Sequence, residues 1–505
     1  MKKLTLLLVL IFAFLSCEKE EVTDPASYQE DYIIGTTLKA NNGQVFTITP
    51  SGDETGITDA NSIMAAFEQA TTAGDGSTVK MTPGTFFIER TIAPWDFVGT
   101  FKGAGKDATT IKVIEHGFEN AGLALWAVAF EFNLKDRGAT MADKVHLTLE
   151  GFTLVVTGEI PEFYLEDSAN LFGSWHGIFI DTRYAVTYPD PAVKEFIALP
   201  AFRDVEVLDI AVIGDGEVNR VADPIFIAGG QGGRVEGNRY YRDFTYSENT
   251  GTIRVSDSDF ITENGYSKLA IFDQLNSTVT VERVNLIGLS TIGGWFVNNV
   301  NTSFKVSRLN ATRCPGVSYD GNYSGILSAS HCEVVDHPPG SIFAGFEIWD
   351  EGSTNTIVLS HNKIHSEDNA LWGPLFMNGA SNPVITNNTF TGRGPAAMYL
   401  GVDFWEIGGN NGLTVVGNNL NGWDTQHWDW LPGIAPIWLG SGTSNCTVVG
   451  SGNLNNNVVD DGTGNTLTGV NNQGGSNLGQ TVKAAMRQKI DLKNAIMSIR
   501  GNTDQ

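Results

Sequence analysis

Positive charge is scarce in this chain. Its 505 residues carry 32 Lys and Arg against 57 Asp and Glu, a formal net charge of −25. That balance argues against a nucleic-acid partner, whose phosphates need a basic surface, and against a polybasic membrane patch. Cysteine is almost missing, with only Cys17, Cys314, Cys332 and Cys446. Setting Cys17 aside leaves an odd three, which is no disulfide framework. Cys332 and Cys446 read as small buried hydrophobes, and Cys314 with Cys332 is the one pair left open as a bridge. No CxxC pair is present for structural zinc. GxSxG and HExxH are absent, and Gly103-Ala-Gly105 lacks the later glycine and helix of a nucleotide loop.

The first apolar run is also short. Met1-Lys2-Lys3 is followed by 11 apolar or small residues, Leu4 to Phe14. That is too little to span a bilayer and suits a secretory signal. Leu15-Ser16-Cys17 resembles a bacterial lipobox, and Glu18-Lys19-Glu20-Glu21 resembles an acidic surface-export tag. The resemblance implies lipidation at Cys17 and an outer-membrane lipoprotein exposed at the cell surface. Residues 18–44 read as a polar tether.

What the chain does have is a repeat. Ile357-Val-Leu-Ser-His-Asn362-Lys-Ile364 recurs in form, and the matching positions are 258, 284, 309, 332, 362, 388 and 418. Their steps are 26, 25, 23, 30, 26 and 30 residues. A strand-like period of this size means one stacked supersecondary unit per repeat. The 57 glycines and frequent asparagines suit many tight turns. Before the repeat, Ile63, Ala66, Phe67 and Ala70 recur at helical spacing, with Thr58 or Asp59 as the expected cap. Strands are then expected around Val79–Phe86 and Thr109–Val113.

The run from Asp59 to Ala70, then Thr78-Val79 to Pro83-Gly84-Thr85-Phe86, then Phe101 to Ile111, resembles the entry of right-handed parallel β-helix proteins of the pectate lyase superfamily. That resemblance implies an all-β solenoid over 45–472 with three strands per coil (PB1, PB2 and PB3) and a capping helix at its N-terminal end. It does not imply a reaction, because the superfamily holds lyases, hydrolases, epimerases and non-enzymes. Stacked coils place Asn362, Asn388 and Asn418 for an amide ladder at one corner, continued by Leu309 and Val284 as an apolar stack. Residues 473–505 read as a Gly/Asn linker and an amphipathic helix carrying Val482, Met486, Ile490 and Ile499.

Candidate chemistry falls in three places. The expected PB1 register aligns Asp273, Asn298, Asp320, Asp350 and Asn378, one per coil. Asp320 and Asp350 would then stand about 4.8 Å apart. Such a pair either shares a proton or binds a cation, Ca²⁺ being the candidate. Glu347 on the same strand adds a third carboxylate. The same Asp and Asn residues also suit turns closed on their own backbone. Trp175-His176 to Asp181-Thr-Arg183 brings a base and a guanidinium to the ends of one strand beside long excursions. Trp349, Trp372, Tyr399, Trp405, Trp423, Trp428, Trp430 and Trp438, with His427, form an aromatic-rich C-terminal region suited to stacking on sugar rings.

The expected function is action on an extracellular polysaccharide along PB1. A lyase would use Arg183 or a Ca²⁺ held by Asp320 and Asp350, with His176, Lys268 or His427 as base. A hydrolase would divide acid and base roles among Asp320, Asp350 and Glu347. Trp349, Tyr399, His427, Trp428, Trp430 and Trp438 would hold substrate. The alternative is a non-catalytic glycan-binding or adhesive protein. His331 and His361, at equivalent places on adjacent coils, read as solvent-facing. The paired-Asp segments of the polygalacturonase branch do not occur in this chain.

Overall fold

The computed structural model describes residues 43–473 apart from 115–126, 135–143, 158–174, 183, 188–194, 200–201, 216–220, 229–231, 237–238, 244–250, 263–266, 273, 290–291, 338–344, 351–354, 367–372, 403–408, 426–433 and 451–454. The expected signal segment, Cys17 and most of the tether lie outside the described residues, as does the expected C-terminal helix.

The repeat closes into a right-handed parallel β-helix. One face is a twelve-stranded sheet running from Ala127–Asn133 to Asn471–Asn472, with neighbours supplied by successive coils. It contains the expected PB1 strands, among them Trp175–Asp181, Gly294–Val297, Val317–Asp320, Phe346–Trp349 and Leu375–Asn378. PB2 and PB3 join into a second sheet of 23 strands that turns a corner once per coil. All of these ladders are parallel, so alternation sends every second side chain into one continuous apolar interior.

A left-handed residue makes the corner between PB2 and PB3. Asp257, Arg283, Arg308, His331, His361 and Asn387 hold φ of 56°, 54°, 54°, 56°, 57° and 55°, and Gly417 holds 70°. Each immediately precedes a repeat position. The sharp corner turns that following side chain inward, where an amide needs partners. Asn388 meets that need on both sides. Its Oδ1 accepts from Asn362 N at 2.9 Å and Nδ2 at 3.0 Å, while its own N and Nδ2 donate to Asn418 Oδ1 at 2.9 and 3.0 Å. Cys332 N donates to Asn362 Oδ1 at 2.9 Å and starts this ladder. Val284 and Leu309 fill the earlier coils as the apolar stack.

The entry helix spans Ile57–Ala73. Its N-cap is Gly56 with no side-chain cap bond, so neither Thr58 nor Asp59 caps it. Asp59 instead accepts from Ser51 N and Phe87 N, both at 2.9 Å, and pins the helix to the first coil. The buried face closes the open end of the tube, an edge that would otherwise expose strand groups. Phe67 is its centre, against Phe97 at 4.9 Å and Phe101 at 5.0 Å. Phe67→Ala is expected to destabilise the protein by about 3–5 kcal/mol. Urea unfolding followed by circular dichroism measures it, and a loss under about 1 kcal/mol would mean that the cap packs loosely.

Cys314, Cys332 and Cys446 are all buried free thiols, so the bridge left open between the first two is not made. Cys332 lies in the corner stack, and burial pushes its thiol up to about 11. All three should react with a thiol reagent only after denaturation.

Candidate functional site

The outward side of PB1 carries two rows of side chains. One row runs Phe179, Phe226, Ala270, Trp295, Ser318, Glu347, Phe376, Tyr399 and Trp438 across successive coils. The other runs Asp181, Ala228, Phe272, Val297, Asp320, Trp349 and Asn378. Between them, Tyr319, Ile348 and Met377 point into the core.

This pairing corrects the expected column. Asp320 is opposite Trp349, not Asp350, and Trp349 is opposite Asn378. Val317 pairs with Phe346 and the column runs Val297, Asp320, Trp349, Asn378, so Asn298 and Asp350 each lie one residue beyond it, which on a period-2 strand is a change of side. Asp350 therefore turns to the corner. It is fully buried there, and its Oδ1 accepts from Asn355 Nδ2 at 3.0 Å. Asn355 Oδ1 in turn accepts from Gly325 N at 2.6 Å and from the Tyr319 hydroxyl at 3.3 Å. Burial first, then the Asp350 charge, pushes the Tyr319 hydroxyl well above its ordinary range. The calcium pair of Asp320 and Asp350 is not assembled. Among the described residues no three His, Cys, Asp or Glu side chains gather to hold a metal ion.

The carboxylate facing Asp320 is Glu347. Their Cα atoms are diagonal neighbours, about 8 Å apart from the strand spacing and two residue rises. Glu347 is 3% exposed. Burial pushes its carboxyl up to about 8, the Trp349 indole N–H opposes that, and the Asp320 charge adds to it. Glu347 Oε1 accepts from Trp349 Nε1 at 2.5 Å, whereas the buried Oε2 has no hydrogen-bond partner among the described residues. Beside it, Asn378 is fully buried, with Nδ2 donating to Val402 O at 3.1 Å and Oδ1 unpartnered among the described residues. Glu347 Oε2 and Asn378 Oδ1 are thus buried without a partner among the described residues, where buried polar atoms are nearly always bonded.

The other expected residues are dispersed. His176 is buried edge-on to Phe226, with ring centroids 5.7 Å apart. Lys268 is buried, and its ammonium donates to the Thr262 carbonyl and hydroxyl and to Leu289 O at 3.2 Å. Trp349 packs on Phe376 with centroids 4.6 Å apart. Tyr399 and Trp438 face outward yet are buried, 5.8 Å apart, and Trp438 Nε1 donates to Asp461 Oδ2 at 2.9 Å. They are therefore not the exposed stacking platforms expected of them. Trp423 is core. Arg183, Asp273, Trp372, Trp405, His427, Trp428 and Trp430 lie outside the described residues.

Sequence reasoning misses an aromatic run on the other flank. Phe179, Phe226, Phe272 and Trp295 contact in series at 5.5, 4.8 and 4.5 Å, ending one coil before Ser318 and Asp320. They are far apart in the chain, and only the coil stacks them. The two long excursions beside them, 182–204 and 230–250, contribute strands to an antiparallel four-stranded sheet ordered Arg239–Asp243, Gly232–Glu236, Glu195–Leu199 and Tyr184–Thr187.

No family model matches the chain, and no curated protein matches it. Solved structures do. A DFA-IIIase from Arthrobacter chlorophenolicus A6, without its lid and in complex with GF2, is 14% identical with a TM-score of 0.48, over 85% of this chain and 99% of that one. The A-module of the Azotobacter vinelandii mannuronan C-5 epimerase AlgE6 is 12% identical with a TM-score of 0.30, over 82% and 91%. At identities this low the likeness concerns the coil and not the outward side chains.

Proposed function

We propose that the protein is a carbohydrate-active enzyme that hydrolyses glycosidic bonds on the outward face of PB1. One observation carries the reading. Glu347 is a carboxyl raised to about 8, hence protonated at neutral pH, with one oxygen fixed by Trp349 and the other without a partner among the described residues. A held, protonated acid beside a second carboxylate is what glycoside hydrolysis requires. Glu347 gives its proton to the glycosidic oxygen as the bond to the anomeric carbon breaks. Asp320 either activates a water on the opposite side or forms the glycosyl ester itself. Asn378 Oδ1 accepts a sugar hydroxyl, and Phe179 and Phe272, the half-buried members of the aromatic flank, support ring faces. The hydrolase reading is favoured over the lyase reading because the described candidate bases for proton abstraction, His176 and Lys268, are committed to packing and to carbonyls.

Reducing-end release from a panel of neutral and acidic polysaccharides tests the proposal. Wild type should release ends from at least one member, and Asp320→Asn should release them at least about a hundredfold more slowly. Retention of a glycan without any release, by wild type, would instead support the binding or adhesive reading. The proposal includes a lipid anchor at Cys17 and display at the outer membrane, supported by the lipobox-like Leu15-Ser16-Cys17. Palmitate labelling that survives Cys17→Ser would overturn that part. Among the described residues no helix is long and apolar enough to cross a membrane.

A further inference from the structure

The corner between PB2 and PB3 lies away from the PB1 face. The left-handed residue of each coil projects there, one above another at about the 4.8 Å coil spacing. Four successive coils place Arg283, Arg308, His331 and His361 in this column. Arg283 is spent on neighbours, with Nε on Asp257 Oδ1 and Nη1 on Glu282 Oε1, both at 2.5 Å. Arg308 is different. Its side chain is 63% exposed, and its ion-pair partner is the same Glu282 oxygen, 3.5 Å away and already held by Arg283. Above it the His331 and His361 rings lie parallel, 4° between planes and 5.1 Å between centroids, both exposed. Lys305 is exposed on the adjoining PB2 strand, and Glu333 and Lys363 are exposed and paired in register on PB3.

In a chain of net charge −25 this edge stands out. Histidine is the side chain that gains charge on mild acidification. Two parallel imidazoles one coil apart offer ring N–H donors to an anion lying along them. We propose that this corner is a second glycan site, separate from the PB1 face, which holds an anionic polysaccharide along the helix axis. Arg308 grips one carboxylate, and His331 and His361 take the next on the strand. Proton uptake and anion binding are coupled there, so binding tightens as pH falls. Glu282, Glu333, Lys305 and Lys363 are the other charged groups facing the column. Of these, Glu282 and Glu333 oppose an anion on the column, whereas Lys305 and Lys363 favour it.

The test is calorimetry of the full chain with polygalacturonate, at pH 5.5 and pH 8 in low salt, with neutral dextran as control. The variant is Arg308→Asn with His331→Asn and His361→Asn, since Asn387 already holds the same backbone conformation one coil on. Wild type should bind polygalacturonate at pH 5.5 at least about tenfold more tightly than at pH 8 and should leave dextran unbound. The triple variant should lose that tenfold with its melting temperature unchanged, and Glu347→Gln should keep it. Absence of binding at pH 5.5, equal binding of dextran, or a triple variant that binds like wild type would each overturn the proposal. None of these outcomes bears on hydrolysis at PB1.

Discussion

Glu347→Gln is expected to remove activity by about a thousandfold while leaving the fold intact. Loss of a positioned general acid costs on the order of 10²–10⁴ in rate. Glutamine is the right probe because it keeps the shape and can still accept from Trp349 Nε1, but it has no proton to give. The pH profile supplies a second reading. With the carboxyl at about 8, kcat/KM should fall as pH climbs through that value. Asp320→Asn takes away the neighbouring charge that helps hold the proton on, so any residual activity should lose its alkaline limb at lower pH. An alkaline limb unmoved by that change would mean that another group carries the acid role.

The same substitution carries a stability prediction with a definite sign. Folding raises the Glu347 carboxyl from 4.5 to about 8. Between those values the folded protein keeps a proton that the unfolded chain has released, so stability falls as pH rises across that window. Each unit is worth about 1.36 kcal/mol, which makes the effect a few kcal/mol once pH exceeds 8. The glutamine variant has no charge to bury. It should match wild type at pH 5 and melt later than wild type at pH 9. Parallel melting curves across that range would show that Glu347 titrates normally.

Asn388→Ala should be among the most damaging single changes in the coil, at more than about 4 kcal/mol. It leaves the Asn362 amide, Leu359 O and Asn418 Oδ1 each short of a bond inside the tube. Asn418 Oδ1 keeps the residue-388 N–H and Asn362 Nδ2 keeps Ala329 O, but each buried group left without a partner costs about 1–3 kcal/mol, and the missing side chain leaves a cavity besides. Asn388→Leu should fail as well, although Leu309 occupies the same position three coils earlier without harm. The difference is the neighbour. Leu309 stacks on Val284 and Cys332, whereas a leucine at 388 would face amides on both sides. Changing Asn362, Asn388 and Asn418 together to leucine should recover much of the loss, since a nearest-neighbour stack tolerates a uniform apolar run. Urea midpoints for the single and triple variants decide the matter, and additive losses would refute it.

Much of the architecture can be read from local chemistry. The corner asparagines are legible because each sharp turn sends the following side chain inward at every pass, whatever the length of chain between passes. The helix at Ile57–Ala73 is legible because four apolar residues share a helical face. The PB1 strands are legible as short apolar runs before turn residues. A second amide ladder, in which Asn299 N and Nδ2 both donate to Asn322 Oδ1 at 2.8 Å, is not legible, since the next coil continues it through Asn355 after a step of irregular length.

The sequence alone therefore determined the coil, its period, its entry cap and its corner side chains, since each depends on contacts that every turn repeats. Only the tertiary structure decided which carboxylate meets Asp320. Along a strand, inward and outward alternate, and one residue further along exchanges them. Asp350, one residue past its strand partner, is buried at the corner, and Glu347 is the carboxyl beside Asp320 on the outward side of PB1.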